Sequence, residues 1–196
     1  MLVIASTAVF ETTIRNSRFL AELQPAADAE EARAILRQTR EKYPDSTHVV
    51  HAFVTGDQGN VMGCSDDGEP PGTAGRPALE VLKNSGITNV MLTITRWFGG
   101  VKLGTGGLVK AYTLAAQEVL KSCCTRELVA MASGMFCVPY SIYEMVKRQL
   151  NVFGFHVSHE DFGNDVTIEG ELPEANVAAF REFITNATKG AGNFVS

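Results

Sequence analysis

Residues 95–110 read TRWFGGVKLGTGGLVK and connect an apolar strand pattern to an amphipathic helix pattern. Five glycines occupy this stretch, at positions 99, 100, 104, 106 and 107. Glycine reaches φ > 0 without steric cost and allows another backbone or a ligand to approach closely. Such a loop leaves backbone N–H groups unpaired beside the positive end of the helix dipole. The stretch therefore predicts either an anion site or a tight strand-to-helix crossover that binds nothing.

The two common nucleotide-binding motifs do not fit this stretch. In a P-loop, the second glycine is followed by lysine; Gly99 and Gly104 have the required spacing, but Thr105 occupies the lysine position. The dinucleotide pattern Gly-x-Gly-x-x-Gly also fails, because Val109 stands at its third glycine position after Gly104 and Gly106. The sequence therefore supports neither P-loop ATP chemistry nor dinucleotide binding.

The predicted anion site combines loop glycines with neighbouring cations. Arg96 ends the strand, while Lys102 and Lys110 follow in the loop and the helix. Thr105 is expected to cap this helix, which we predict over residues 106–122. The candidate anion-binding or nucleic-acid-binding residues of the stretch are Arg96, Gly99, Gly100, Lys102, Gly104, Thr105, Gly106 and Lys110.

A second informative stretch lies upstream, where residues 65–77 read SDDGEPPGTAGRP. Asp66, Asp67 and Glu69 form an acidic loop, since the surrounding glycines and prolines exclude a helix or strand. These oxygen ligands suit Mg²⁺ or Ca²⁺, but their spacing is not that of an EF-hand. An acidic turn that caps the next helix is therefore favoured over a metal site. Arg76 is the anion-binding candidate of this loop, and Pro77 suits the first helical turn.

Residues 65–77 and 95–104 together resemble the signature of the IMPACT/YigZ family. Residues 16–19 and Thr47-His48 also resemble family positions, and the last third resembles the second domain of the bacterial YigZ branch. The match at His48 suggests that this side chain points at the site. Arg18, within residues 16–19, is a candidate surface contact. The resemblance implies a first domain of the ribosomal-protein S5 domain 2 type and a second domain like the C-terminal domain of the translocating elongation factor.

The same resemblance implies a function in regulating translation, or the stress response to amino-acid shortage. In eukaryotic relatives, that regulation works by competition for a protein partner. For a bacterial chain of this kind, contact with the ribosome or an RNA is the expectation instead. The implied partners are therefore the ribosome, RNA or a translation-associated protein.

Residues 1–128 carry the alternation expected of an α+β domain whose helices cover one face of a sheet. Asp28 is a plausible N-cap for the first helix, and Pro44 follows its end. We predict a strand over residues 1–14, a turn at 16–19 leading to a short strand, a helix over 28–43, strands over 48–55 and 61–64, a helix over 77–85 and a strand over 90–95.

Residues 129–196 form the second predicted domain. The order strand, helix, strand, strand, helix indicates a ferredoxin-like fold. The predicted elements are a strand over 129–138, a helix over 141–153, a hairpin over 155–160 and 166–171, and a helix over 174–187.

Charge is distributed unevenly along the chain of 196 residues. Residues 1–128 carry 13 Lys/Arg against 14 Asp/Glu, whereas residues 129–196 carry 4 against 8, which accounts for the net charge of −5. The basic footprint of a non-specific nucleic-acid binder is absent. Any RNA contact must therefore be local, through Arg76, Arg96, Lys102 and Lys110. The acidic second domain better suits a protein-interaction module or a lid.

The remaining composition predicts a cytoplasmic protein. No apolar run approaches the length of a membrane span, and the N-terminus lacks the basic and long apolar regions of a signal peptide. Four cysteines occur without a Cys-x-x-Cys motif, so reduced thiols are the simpler expectation.

Three functional hypotheses follow, and a non-enzymatic binding protein that regulates translation is favoured. The second is an enzyme for a phosphorylated or anionic small molecule, with the acidic loop supplying a base or a metal ligand. The third is a protein-interaction module whose glycines and acids are structural. No nucleophile–base pair or complete metal set is visible, so no catalytic residue, metal or cofactor is assigned.

Overall fold

The computed structural model describes residues 1–195, and the chain divides into two compact units, Met1–Leu128 and the part from Val129 onward. The first unit is built on a five-stranded antiparallel sheet in the order β2-β3-β6-β4-β5. Its strands are β2 (Ala8–Ile14), β3 (Ser17–Pro25), β4 (His48–Thr55), β5 (Val61–Ser65) and β6 (Val90–Trp97).

The predicted strand over residues 1–14 is wrong, since it is two strands. β1 (Leu2–Ile4) leaves the main sheet and pairs with β7 (Thr125–Glu127), a short strand that the sequence did not reveal. Residues 5–7 interrupt the regular backbone between β1 and β2. Three-residue strands carry too few side chains to give a clear period of two, so only their long-range pairing identifies them.

The central strand β6 explains how the helices are arranged. Successive strand residues point to opposite faces, and seven of its eight residues are buried. Leu92 and Ile94 pack with α2 (Gly75–Asn84) and α3 (Gly104–Ser122), whereas Met91 packs with α1 (Ala29–Lys42). The expectation of helices on one face is therefore wrong, because α1 covers the other face.

The helix ends differ in how well the sequence predicted them. Asp28 caps α1 as expected, accepting hydrogen bonds from Glu30 N and Glu31 N, each 2.8 Å long. In contrast, α3 begins at Gly104, so the predicted cap Thr105 lies inside the first turn. The N-cap position is Leu103, whose side chain makes no capping bond. The helix therefore begins without a side-chain acceptor for its first N–H groups.

The second unit has the predicted ferredoxin-like order of elements. These are β8 (Met131–Val138), α4 (Tyr140–Phe153), β9 (His156–Phe162), β10 (Val166–Pro173) and α5 (Val177–Ala187). The sheet order is β8-β10-β9, and Val195 forms a β-bridge with Met135 on β8. Phe180 lies at the centre of its core, with ring contacts to Phe136, Phe153, Phe155, Phe183 and Phe194.

Two general expectations can be compared with this architecture. Within residues 1–195, no helix is long and apolar enough to cross a bilayer. The four cysteines, Cys64, Cys123, Cys124 and Cys137, are all free thiols.

Replacing the cap of α1 tests how far this helix depends on it. We expect Asp28→Ala to lower the free energy of unfolding by about 1 kcal/mol, because two N–H groups lose their acceptor. Urea unfolding followed by circular dichroism measures the change. Asp57→Ala is the matched control, since Asp57 is exposed in a turn and its side chain has no hydrogen bond or ion pair within residues 1–195. Equal losses in the two variants would contradict the prediction.

Candidate binding groove

The acidic loop and the glycine loop meet in space and line one cavity of about 490 Å³. The cavity, called the groove below, lies in the first unit between the start of β4, the end of β6 and the N-terminus of α3. A volume of this size is within the range of small-ligand sites. The groove is lined by Thr47, His48, Gly68, Glu69, Pro70, Arg96, Phe98, Lys102, Leu103, Gly104, Thr105 and Leu108.

A buried ion pair forms the floor of the groove. Arg96 Nη1 lies 2.6 Å from Glu69 Oε1, and the two side chains are only 5% and 3% exposed. The Tyr112 hydroxyl donates to the same oxygen at 2.7 Å, and Arg96 Nη2 donates to Ser17 Oγ at 3.1 Å. Burial, followed by the charge of Glu69, raises the pKa of Tyr112, so its hydroxyl stays protonated and donates. These bonds join β3, the acidic loop, β6 and α3.

Arg96 therefore has a different environment from the one that the sequence suggested. An exposed cation was expected, but the guanidinium is buried and its charge is balanced by Glu69. Arg96 Nε has no hydrogen-bond partner within residues 1–195. The residue reaches the groove only as part of its wall.

The other two carboxylates of the acidic loop also face inward. Asp66 accepts hydrogen bonds from the N–H groups of Gly72, Ala74 and Gly75, at 2.8, 3.0 and 2.8 Å, and so caps α2 from outside the helix. Asp67 accepts from Val49 N at 2.7 Å and forms an ion pair with Arg40. The capping interpretation is therefore confirmed for Asp66. Within residues 1–195, no three His, Cys, Asp or Glu side chains are grouped to hold a metal ion.

Asp66 also has a perturbed ionisation. Burial favours its neutral form, but the hydrogen bonds from Gly72, Gly75 and Ala74 outweigh that effect, so the pKa of Asp66 is lowered. The hydrogen bonds of the folded loop therefore stabilise the ionised form of Asp66 over the neutral form.

His48 presents one ring nitrogen to the groove. Its Nδ1 lies 2.7 Å from the carbonyl oxygen of Asp67, which can only accept, so Nδ1 carries the hydrogen. In the neutral ring, Nε2 is then an acceptor, and it lies 3.9 Å from Glu69 Oε2. Two acceptors therefore stand side by side in the groove wall.

The glycine loop supplies the open side of the groove. Phe98 is 47% exposed, and the Arg96 guanidinium carbon lies 5.6 Å from its ring centroid. The Phe98 N–H donates to Thr47 Oγ1 at 2.9 Å, which fixes the start of the loop. Lys102 is exposed, and its amine has no partner within residues 1–195. The uncapped N–H groups of α3 lie at the same side.

The loop glycines have two different roles. A Cβ on Gly99 would overlap the backbone of Asn16, so this glycine permits a close crossing of two chain segments. Gly100 and Gly104 adopt positive φ values of 83° and 71°, which other residues rarely tolerate. A Cβ on Gly106, by contrast, would meet no atom within 4 Å. The tight crossover that the sequence offered as one alternative therefore occurs, while the anion site stays a prediction.

Three predicted cations lie outside the groove lining. Arg18 lies opposite Trp97 on the neighbouring strand, and its guanidinium carbon is 3.6 Å from the centroid of the Trp97 ring. Arg76 is exposed and pairs with Glu80 at 3.1 Å. Lys110 is exposed one turn or more into α3. The structure thus brings together His48, Glu69, Arg96, Lys102, Gly104 and Thr105 from the predicted set.

Sequence reasoning missed two residues that shape this site. Phe98 precedes two glycines in the loop, and an aromatic residue in that position indicates an exposed ring. Tyr112 is one of the buried residues of α3, and its hydroxyl bond to Glu69 depends on a residue 43 positions away in the sequence.

The fold and groove define a two-domain α+β protein with a cleft in its first domain, lined by the acidic loop and the glycine loop. The Impact N-terminal domain model matches residues 15–120, and a domain of unknown function, DUF1949, matches residues 137–191. The chain therefore belongs to the IMPACT family, as the resemblance of the two loops indicated.

Relatives with both domains support this assignment. The chain is 32% identical to "IMPACT family member YvyE" of Bacillus subtilis over 92% of this chain and 83% of the relative. It is 31% identical to "IMPACT family member YigZ" of Escherichia coli, over 97% and 94%. A crystal structure described as that of "an hypothetical protein" matches with a TM-score of 0.76 and 30% identity, covering 100% of this chain and 96% of the other.

The ionisation of Asp66 makes a testable contribution to acid stability. A lowered pKa stabilises the fold above the ordinary carboxyl pKa of about 3.9, and the contribution disappears as pH falls through the lower, folded value. Asp66→Asn should therefore cost about 0.5–2 kcal/mol at neutral pH. The difference from wild type should shrink in acid, as measured by urea unfolding over a pH series. A difference that is independent of pH would contradict this prediction.

The buried ion pair predicts strong coupling between its two residues. Glu69→Leu should lower the free energy of unfolding by about 3–5 kcal/mol, because it leaves the Arg96 charge buried and unpaired. The double variant Glu69→Leu/Arg96→Met should recover much of that loss. Tyr112→Phe is the mild comparison, losing about 1 kcal/mol with one hydrogen bond. Chemical denaturation of wild type, Glu69→Leu, Arg96→Met and the double variant completes the cycle, and simple additivity of the two single changes would refute the coupling.

Proposed function

We propose that this chain is a non-enzymatic binding protein that regulates translation by contacting the ribosome through the groove. The role in translation is inferred from the resemblance of this chain to the IMPACT family, which implies translation regulation. Its chemical basis is the groove itself, where a free cation and an uncapped helix start lie beside an exposed aromatic ring. The ribosome offers a dense surface of phosphates that such a site can bind.

The single observation that carries the proposal is the pairing state of the charges around the groove. Glu69 is neutralised by Arg96, and Asp67 by Arg40, while Asp66 is satisfied by three N–H groups. Lys102 alone among these charged groups keeps an unpaired, exposed charge. An acidic chain can therefore present a locally cationic opening, which suits contact with an anionic partner.

The same pairing pattern argues against the enzyme hypothesis. A general base or a metal ligand from the acidic loop needs a carboxylate that is not already paired. Asp66 and Asp67 bind backbone N–H groups and Arg40 of α1, and Glu69 is paired with Arg96 through Oε1, with only its Oε2 left toward the groove. A protein partner is the remaining alternative, and the exposed side chains of Phe98 and Val101 suit one.

The proposal also assigns the chain to the cytoplasm, where ribosomes and reducing conditions occur together. Free thiols at all four cysteines suit a reducing compartment.

Cosedimentation with ribosomes tests the proposed contact. We expect association that weakens as salt rises, and a loss of about tenfold in affinity for Lys102→Glu, because the reversal places a like charge at the phosphate contact. Lys83→Glu is the matched control: it makes the same charge change on an exposed lysine of the first unit, outside the groove lining.

Two outcomes would overturn the proposal. One is the absence of cosedimentation at low salt. The other is equal association of the Lys102→Glu and wild-type proteins, which would place any ribosome contact elsewhere. Partner capture that withstands both nuclease and high salt would favour a protein target instead.

A further inference from the structure

We infer that the groove takes a single-stranded RNA segment, with one base stacked on Phe98 and the adjoining phosphate held at Lys102 and the start of α3. This inference rests on the proposed function and names the chemical class of ligand for the same site. The inference is based on three features of the groove, none of which is needed for ribosome binding alone.

The first feature is the accessible aromatic ring. Arg96 lies against one side of Phe98, and the ring nevertheless keeps 47% of its surface exposed. An exposed aromatic ring offers a flat apolar face on which a second planar group can stack. Bases stack on such rings in proteins that bind single strands, whereas the bases of a duplex are already stacked on each other. A neighbouring guanidinium adds to the attraction for a base through its own planar face.

The second feature is the anion site beside the ring. α3 starts at Gly104 without a side-chain cap and without an acidic residue in its first turn. Lys102 precedes it with a free amine, and Arg96 lines the same groove with a buried Nε that lacks a partner within residues 1–195. Backbone N–H groups and a cation together are the usual contacts of a phosphate. The distance along the chain from Phe98 to Gly104 is short, so base and phosphate contacts come from one loop.

The third feature is the carboxylate oxygen Glu69 Oε2, which lies beside His48 Nε2 in the groove lining. His48 Nε2 and Glu69 Oε2 lie 3.9 Å apart, and Nδ1 of the histidine is already committed to the Asp67 carbonyl. The carboxylate oxygen accepts from a hydroxyl or amino donor and repels another anion. A ribose 2′-hydroxyl is such a donor, and it is the group that distinguishes RNA from DNA. The groove volume of about 490 Å³ suits a single nucleotide unit rather than a duplex.

Fluorescence anisotropy with labelled ten-nucleotide oligouridine tests this inference with the full chain. We expect tighter binding of the single-stranded RNA than of the matching single-stranded DNA, and the weakest binding for an RNA duplex of equal length. Phe98→Leu should weaken RNA binding by about fivefold to a hundredfold, the usual effect of losing one stacked base. Phe98→Tyr should keep most of the affinity, because the ring remains.

The control for loop integrity is Val101→Ala. Val101 lies in the same loop and is 42% exposed, but it does not line the groove, so the substitution should leave RNA affinity unchanged. Phe98 is half exposed as well, so each variant is expected to melt at the wild-type temperature. A thermal melt of every variant confirms that the comparison is between folded proteins.

Several results would overturn the inference. These are equal affinities of Phe98→Leu and wild type, equal affinities for duplex and single strand, or uridine monophosphate binding as tightly as the oligonucleotide. Ribosome cosedimentation that depends on Lys102 without any oligonucleotide binding would refute this inference and leave the proposed function intact. Oligonucleotide binding that depends on Phe98, with no ribosome association, would refute the proposed ribosome contact and support the RNA ligand.

Discussion

The buried ion pair between Arg96 and Glu69 is the constraint on which the first domain depends. Removing two charges from water is costly, and the cost is offset only where geometry and additional hydrogen bonds are good. Here the carboxylate receives the guanidinium and the Tyr112 hydroxyl, while Ser17 accepts from the other end of Arg96. The pair therefore fixes the acidic loop against β6 and α3, and this attachment gives the groove its shape.

The same constraint explains how the charges around the groove are paired in an acidic protein. Each carboxylate of the acidic loop binds an arginine or backbone N–H groups, so its negative charge is compensated within the domain. Within residues 1–195, Lys102 is the exposed, unpaired lysine of the groove lining. Electrostatic attraction at such a site acts at short range, because the net charge of the chain is −5 and offers no long-range steering toward nucleic acid.

The groove also relies on the two-sided burial of the sheet. β6 has side chains packed by α2 and α3 on one face and by α1 on the other, and Asp67 bonds to Arg40 of α1. The acidic loop is therefore attached to elements on both faces. The second domain has its own aromatic core around Phe180 and accounts for −4 of the net charge of −5.

Local sequence determined most of the secondary structure and the class of fold. The cap at Asp28, the β4 strand and the ferredoxin-like order of the second unit depend on neighbouring residues, and such short-range patterns can be read directly. Only the tertiary structure decided the pairing of β1 with β7, the inward turn of Arg96 and the bond from Tyr112 to Glu69. These depend on contacts between residues far apart in the chain. The same local sequence is compatible with an exposed or a buried charged side chain. Whether the side chain is buried depends on a partner that is distant in the sequence.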